Sequence, residues 1–328
     1  MVEAGAVERA VEKISSREVR GASAIARYAA ETLRDYIQQL QSSSPDDFKD
    51  RILKMSYQLK GARPTAVSLP NTVDSILIPV ITLSDEGQSV EDIRSAAVDV
   101  ANRCIEEIKG AIDKLGEFGA KRLRDGDVIL THSDSRAALS VLKHAHDQGK
   151  KISVINTETR PQSQGYQTSQ KLCEYGIDTT MIIDSCVRMV IDDVDKVIVG
   201  ADAIAVNGAV VSKIGTSQIA TLANEARVKV MVAAETYKLD HNSIYGDLIE
   251  LEERDPAEVM RKDLLGDYPT LKIRNPQFDV TPPEYIDVLI SERGLIPPSG
   301  VFSVMREIFK DHMKFRGQLA IPGKKIAQ

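Results

Sequence analysis

From Asp125 to about Ala234 the chain alternates short β-branched runs with amphipathic stretches, and that alternation leaves few folds open. Strand candidates lie at 127–131, 152–156, 179–183, 196–200, 209–212 and 229–234, separated by helical stretches at 135–148, 164–175, 185–191 and 217–226. Parallel strands need long crossovers, which helices supply, so a mainly parallel sheet covered on both faces is expected. Residues 1 to about 124 carry no strand signal of their own. Val7, Val11 and Ile14 make one apolar stripe, Ile25, Tyr28, Ala29 and Leu33 another, and Ser44-Pro45-Asp46-Asp47 opens a helix with a cap, a first-turn proline and early acids. The stretch 89–123 reads as a long amphipathic helix with expected breaks near Gly110 and Gly116. The expected class is α/β: a helical N-terminal domain, 1–124, followed by a Rossmann-like, mainly parallel sheet domain, 125–328, that carries most of the active site. At 328 residues the chain has room for both cores.

In such sheets ligands bind beyond the carboxyl ends of the strands. That rule lines up Thr131 to Arg136, Thr157 to Arg160, Asp184, Gly200 to Asp202 and Glu235 to Lys238 along one rim. At the first of these, a buried-strand run passes through a polar turn straight into a helix. The helix N-terminus offers N–H groups and a positive dipole end, Ser133 and Ser135 add hydroxyls and Arg136 adds a charge, which together suit a phosphate. The plainer reading of Ser135 is a helix cap alone. Neither GxGxxG nor GxxxxGK[ST] occurs, so neither a dinucleotide nor a P-loop nucleotide is indicated.

Other polar residues are placed to join that chemistry. Asp202 follows the buried-strand run Val197-Ile-Val-Gly-Ala, where a carboxyl can emerge into a partly dry site and move a proton, or simply cap a turn. Asn207-Gly208 marks a hairpin that leads to Lys213 and a capped helix, and Lys213 and Lys238 are candidate point charges for phosphates, though a lone lysine is usually solvated. His132 reads either as a base or as a histidine bonded to backbone. In the helical part, Arg20-Gly21-Ala22-Ser23 and Arg63-Pro64-Thr65-Ala66-Val67-Ser68 each put an arginine and a cap before a helix, which suits an anion, the plain alternative being a surface ion pair.

Composition removes several classes of partner. A formal charge of −6 and the absence of Trp argue against nucleic-acid binding. Cys104, Cys173 and Cys186 are odd in number and lack CxxC spacing, so they read as reduced thiols with no zinc site. With neither a signal-peptide core nor a membrane-length apolar run, a cytoplasmic protein is expected. The Pro-rich stretches from about 250 on, including Phe278-Asp279-Val280-Thr281-Pro282-Pro283, read as connections that wrap the sheet domain or reach a partner chain.

The run Asn207-Gly-Ala-Val-Val-Ser-Lys-Ile-Gly-Thr216, with Gly200-Ala-Asp202 before it and Ala234-Glu-Thr-Tyr-Lys238 after it, resembles the superfamily of initiation-factor-2B regulatory subunits, methylthioribose-1-phosphate isomerase and archaeal ribose-1,5-bisphosphate isomerase. Arg20-Gly-Ala-Ser23, Arg63-Pro-Thr-Ala-Val-Ser-Leu-Pro-Asn71, Thr157-Glu-Thr-Arg-Pro161 and Phe278-Asp-Val-Thr-Pro-Pro-Glu-Tyr285 are similar to the last of these. The resemblance implies conversion of ribose 1,5-bisphosphate to ribulose 1,5-bisphosphate in archaeal AMP and nucleoside breakdown by a homo-hexamer, a trimer of dimers, with a nucleotide such as AMP as activator. It implies substrate contacts from Arg20, Gly21, Ala22, Ser23, Arg63, Ser135, Arg136, Ala137, Asn207, Ser212, Lys213 and Lys238, with Asp202 as proton donor. An enediolate route shifts only protons, so no cofactor or metal is implied. The family's proton-accepting cysteine is Ser133 here, which implies a low-activity or inactivated form. Two readings stay beside this one. A regulatory-subunit relative would bind a sugar phosphate or nucleotide and act on translation initiation. Methylthioribose-1-phosphate isomerase would need the same cysteine and a thioether pocket, and the second phosphate site inferred at the N-terminal arginines counts against it.

Overall fold

A computed structural model describes residues 2–322 except 20, 64, 247, 248, 250, 267 and 269. The chain divides into two compact units, one of residues 1–110, 237–247 and 303–328, the other of 111–236 and 248–302.

The first unit is helical. Its sequence folds into α1 (Val2–Ser15), α2 (Ala22–Gln39), α3 (Pro45–Gly61), α4 (Ser68–Asp85) and most of α5 (Val90–Ala120). Ser44 caps α3 as its sequence implies, its side chain accepting from the Asp47 amide at 3.2 Å. The apolar stripes close on one core in which Val7, Ile14, Ile25, Leu33, Phe48, Ile52, Leu69, Ile76 and Leu77 are fully shielded from solvent.

The helical reading needs two corrections. α5 runs unbroken through Gly110 and Gly116. Gly116 is there for close packing, since a Cβ would lie 2.2 Å from the Ser140 hydroxyl, and at Gly119 one would lie 2.5 Å from Val141. The cap of α2 is also misread in the sequence. Gly21, at φ 84°, precedes the helix with no side-chain cap bond, while Ser23 lies buried inside the first turn.

In the second unit β1 (Val128–Thr131), α6 (Arg136–Asp147), β2 (Ser153–Thr157), α7 (Gly165–Glu174), β3 (Asp178–Ile182), the one-turn α8 (Val187–Val190), β4 (Lys196–Gly200), β5 (Ala203–Ile204), β6 (Val210–Lys213), α9 (Thr216–Glu225) and β7 (Lys229–Ala233) follow in order. After α10 (Lys262–Leu265) come β8 (Phe278–Thr281), β9 (Val288–Ser291) and β10 (Gly294–Ile296). The main sheet has seven strands in the order β10-β9-β7-β4-β1-β2-β3, parallel except for β10. The alternating pattern was therefore a correct guide to fold class.

Sequence reading missed β5, β8, β9 and β10, and took 278–283 for a connection. Phe278–Thr281 instead pairs antiparallel with β6 in a second sheet of order β5-β6-β8. The prolines at 282 and 283 end that strand, as residues unable to donate to a ladder should. The expected helix at 185–191 is a 3-10 turn, a single α-helical turn and a further 3-10 turn. Among the described residues no helix is long and apolar enough to cross a membrane. Helices α11 (Val301–Ile308), α12 (Lys310–Lys314) and α13 (Arg316–Leu319) lead the chain back into the helical unit.

Candidate active site

At the carboxyl end of β1 the backbone leaves the sheet through a left-handed residue, Ser133, at φ 68°. A non-glycine residue there costs on the order of 1–3 kcal/mol and persists only when its surroundings hold it. The surroundings are visible. Thr159 accepts from the Ser133 amide at 2.9 Å, Thr168 donates to its carbonyl at 2.7 Å, and the Ser133 hydroxyl donates to Gln164 Oε1 at 2.9 Å. Next door, Asp134 pairs with Lys171 of α7 at 2.7 Å.

The strut on the other side is the loop 157–165. Asp184 accepts from the amides of Thr159 and Arg160, both at 2.8 Å, which fixes Thr159 at φ 64° ahead of a cis Arg160–Pro161 bond. Gly165 then enters α7 so close to the loop that a Cβ would lie 1.9 Å from the Thr157 carbonyl oxygen. These contacts explain the Thr157-Glu-Thr-Arg-Pro run and bring in Thr159, Gln162, Gln164 and Asp184. Sequence placed Thr159 and Asp184 on the rim without a role for either side chain, and it did not single out Gln162 or Gln164.

The turn leads directly into α6. Ser135 is its N-cap, accepting from the Ala138 amide at 3.2 Å, as its sequence position implies. The amides of Arg136 and Ala137 have no acceptor among the described residues, so the helix start retains donors for an anion. Arg136 itself is exposed and Ala137 buried. Gly200, at the end of β4, packs against the cap closely enough that a Cβ would lie 2.2 Å from the Ser135 hydroxyl.

His132 resolves toward its structural reading. Its Nε2 lies 2.8 Å from the Ile214 carbonyl, an acceptor, so that nitrogen carries the proton; Nδ1 then accepts from the Thr157 hydroxyl at 2.5 Å. Burial holds its pKa below the ordinary histidine value, against the raising effects of the Ile214 carbonyl and Asp184. A neutral ring with both nitrogens bonded is a post between the β1 turn and the β6–α9 turn. The second turn supplies Lys213, nearly buried, whose ammonium donates to Gln162 Oε1 at 3.3 Å and lies 5.8 Å from the centre of the Phe278 ring.

The cap of α9 comes from an unexpected place. Gly215 stands at φ 102°, and the carboxylate of Asp279 on β8 accepts from the Gly215 amide at 2.7 Å and the Ser217 amide at 3.2 Å. Burial pushes Asp279 up to about 6, while those two backbone donors pull it down. Ser212 donates to the Gly200 carbonyl at 2.8 Å, and Asn207 accepts from the Ala209 amide at 3.0 Å within the β5–β6 hairpin. Asp202, half-buried, sits between β4 and β5 with its amide donating to the Val211 carbonyl at 2.9 Å. Ser133 and Ser135 on the β1–α6 turn, Asp202 after β4, and Ser212 and Lys213 on β6 thus all lie in the sheet unit, where His132 bonds the β1 turn to the β6–α9 turn and Ser212 bonds β6 to the end of β4.

Within the helical unit, the Ser68 hydroxyl donates to the Ala22 carbonyl at 3.1 Å, so the starts of α2 and α4 lie side by side. The two arginine motifs therefore meet; Arg63 is half-buried, and Arg20 lies outside the described residues. Lys238, nearly buried, follows β7 at the end of a 3-10 turn and belongs to this unit. All three cysteines are free thiols, and burial pushes Cys104 up to about 11.

The family model described as Initiation factor 2 subunit family matches residues 18–298. A relative from Methanocaldococcus jannaschii named ribose 1,5-bisphosphate isomerase is 47% identical over 309 residues, 94% of this chain and 97% of its own. One from Desulforamulus reducens, named methylthioribose-1-phosphate isomerase, is 35% identical over 89% of this chain and 86% of its own. Among solved structures, the Pyrococcus horikoshii translation initiation factor eIF-2B aligns with a TM-score of 0.74 and 29% identity, covering 89% of this chain and 97% of that one.

Proposed function

The chain belongs to the Initiation factor 2 subunit family, and we propose that within it the protein is an aldose–ketose isomerase that acts on ribose 1,5-bisphosphate to give ribulose 1,5-bisphosphate. The observation that carries this reading is the position of Ser133, a backbone-constrained residue at the end of β1 that leads directly into the donor-bearing start of α6. A proton acceptor next to fixed positive donors is what removal of a proton from a phosphorylated sugar needs.

In the proposed reaction the C1–O4 bond of the ring breaks, and O4 receives a proton from Asp202. The C2 proton passes to the group at position 133 and a C1=C2 enol forms. Return of a proton to C1 and loss of one from the C2 hydroxyl leave the ketone, with no net change in atoms or charge. Within the sheet unit Lys213, Arg136 and the α6 amides neutralise phosphate, with Ser135, Ala137, Asn207 and Ser212 beside them, and within the helical unit the family resemblance assigns substrate contacts to Arg20, Gly21, Ala22, Ser23, Arg63 and Lys238. Ser133 sets the rate. Its structural partners, Thr159, Gln164 and Thr168, include no base, and an alcohol is a far poorer proton acceptor than a thiolate. The chain is therefore a slow isomerase that retains substrate affinity.

Titration calorimetry with ribose 1,5-bisphosphate tests the proposal. Micromolar or tighter binding, weakened at least tenfold by Lys213→Gln, is expected; no binding to the folded chain would overturn it. The proposal extends to a homo-hexamer activated by a nucleotide such as AMP and serving nucleoside breakdown, checked by sedimentation and by AMP titration of turnover. The competing reading, a sugar-phosphate or nucleotide sensor acting on translation initiation, draws on the solved eIF-2B structure, which is less similar in sequence than the isomerase relatives. It predicts capture of initiation factor subunits in a pull-down and no isomerisation.

A further inference from the structure

Lys238 occupies a short segment, 237–247, that the chain inserts into the helical unit after β7. The carbonyls on both sides of it are held by a single side chain. Asn71 of α4 donates through Nδ2 to the Tyr237 carbonyl at 3.0 Å and to the Leu239 carbonyl at 2.8 Å. With both amide hydrogens so used, Oδ1 must accept, and it faces Nδ1 of His241 at 3.1 Å. His241 is therefore a neutral ring with its proton on Nδ1.

The same asparagine is held from its backbone. Its carbonyl accepts from the Ser75 hydroxyl at 3.0 Å and from His312 Nε2 at 3.2 Å, which puts the His312 proton on Nε2. His241 stacks on Phe309 with centroids 5.1 Å apart, and His312 meets both rings edge-on. Asn71, His241 and His312 are each less than 5% exposed. A buried amide with three hydrogen bonds has one orientation; rotated by half a turn, it would aim its oxygen at two carbonyls.

We infer that Asn71 is the positioning residue for Lys238, its side-chain amide holding the two flanking carbonyls while His241 and His312 hold the asparagine. The inference rests on Lys238 being a contact for a substrate phosphate. Ordering backbone on binding costs conformational entropy, so a lysine whose backbone is already immobile binds an anion without that part of the cost. Asn71 thereby acts on affinity without touching the substrate.

Two measurements test this on the full chain. In titrations with ribose 1,5-bisphosphate, Asn71→Asp, which keeps the shape but replaces the donor with an oxygen, weakens binding 10- to 100-fold. Lys238→Ala weakens it at least as much, and the double variant is no weaker than Lys238→Ala alone. His241→Asn, whose amide N–H replaces Nδ1–H, keeps the affinity within a few-fold, whereas His241→Leu loses it. Additive losses in the double variant would show that Asn71 acts on the fold generally and overturn the inference. Unimpaired binding by Lys238→Ala would remove the lysine from the substrate site, and a chain that binds no bisphosphate would refute the isomerase reading itself. The second measurement needs no ligand: amide hydrogen exchange across 237–242 should speed at least tenfold in Asn71→Asp while α2 and α3 keep their protection. Unchanged exchange there would overturn the inference regardless of any binding result.

Discussion

The turn after β1 and the segment after β7 each carry a candidate functional residue on backbone that a buried polar network pins, yet the two networks are built differently. Around Ser133 the clamps come from within the sheet unit and from nearby sequence, Thr159, Gln164 and Thr168 lying 26, 31 and 35 residues on. Around Lys238 the clamp is Asn71, 166 to 168 residues from the carbonyls it holds. The first turn is rigid because strand, loop and helix share a short stretch of chain. The second is rigid because a helix formed early in the sequence receives a late one. Folding of the helical unit should therefore matter to Lys238 and much less to Ser133.

The largest expected effect breaks the first turn. Gly165→Ala places a methyl 1.9 Å from the Thr157 carbonyl oxygen, which backbone cannot yield cheaply, so a loss of about 3 kcal/mol or more is expected in urea unfolding. Local exchange should rise around 157–168 while 237–242 stays protected. If both segments loosen together, the two clamps are one network and the contrast fails.

Next comes Asp134→Ala. It strips the part-buried ion pair between the Asp134 carboxylate and Lys171, and should cost roughly 1–2 kcal/mol by the same urea assay. An effect below 0.3 kcal/mol would mean that Thr168 alone holds the turn to α7.

Acid should act on both segments, through His132 at the first turn and through His241 and His312 at the second. Burial lowers His241 to about 3 and His312 to about 4, so each contributes stability that is full above the unfolded value near 6.5 and is lost as pH falls toward the folded one. Between pH 7 and 5 that is a loss of about 2 kcal/mol per ring. Burial raises Asp74, paired with Lys60 at 2.6 Å, to about 6, and it works in reverse. Its stabilising contribution is full below about 3.8 and lost as pH rises through 6, so acidification returns about 1 kcal/mol. The net for the helical unit is a loss of about 2–3 kcal/mol at pH 5, visible as faster exchange at 237–242. In a variant with His241→Asn and His312→Gln this acid sensitivity should vanish; if it persists, the histidines are not the cause.

Residue patterns made one of these regions readable and hid the other. The strand, turn and capped helix at 127–148 are contiguous, so periodicity and the Ser135 cap located them. The positive φ of Ser133 and Thr159 could not be read, since each depends on partners such as Asp184 that lie beyond any local window. Likewise the cap of α9 comes from Asp279 on a strand that looked like a proline-rich connection, because its neighbours Pro282 and Pro283 masked a four-residue run. His132 and Ser135 were each legible with two readings, and only the folded chain shows the bonds they make: His132 to Thr157 and the Ile214 carbonyl, Ser135 to the Ala138 amide. Family motifs marked Asn71 and Lys238 in separate runs, and only the folded helical unit shows that one holds the other.

The central claim is the proposal that the chain binds a sugar bisphosphate and that position 133 limits its chemistry. Turnover of ribose 1,5-bisphosphate by the chain and by Ser133→Cys, followed side by side by phosphorus NMR, addresses both halves at once. The account predicts that both proteins bind the substrate equally and that the cysteine variant forms ribulose 1,5-bisphosphate on the order of 10²–10⁴ times faster. Equal rates in the two proteins, or binding without conversion by the cysteine variant, would contradict it.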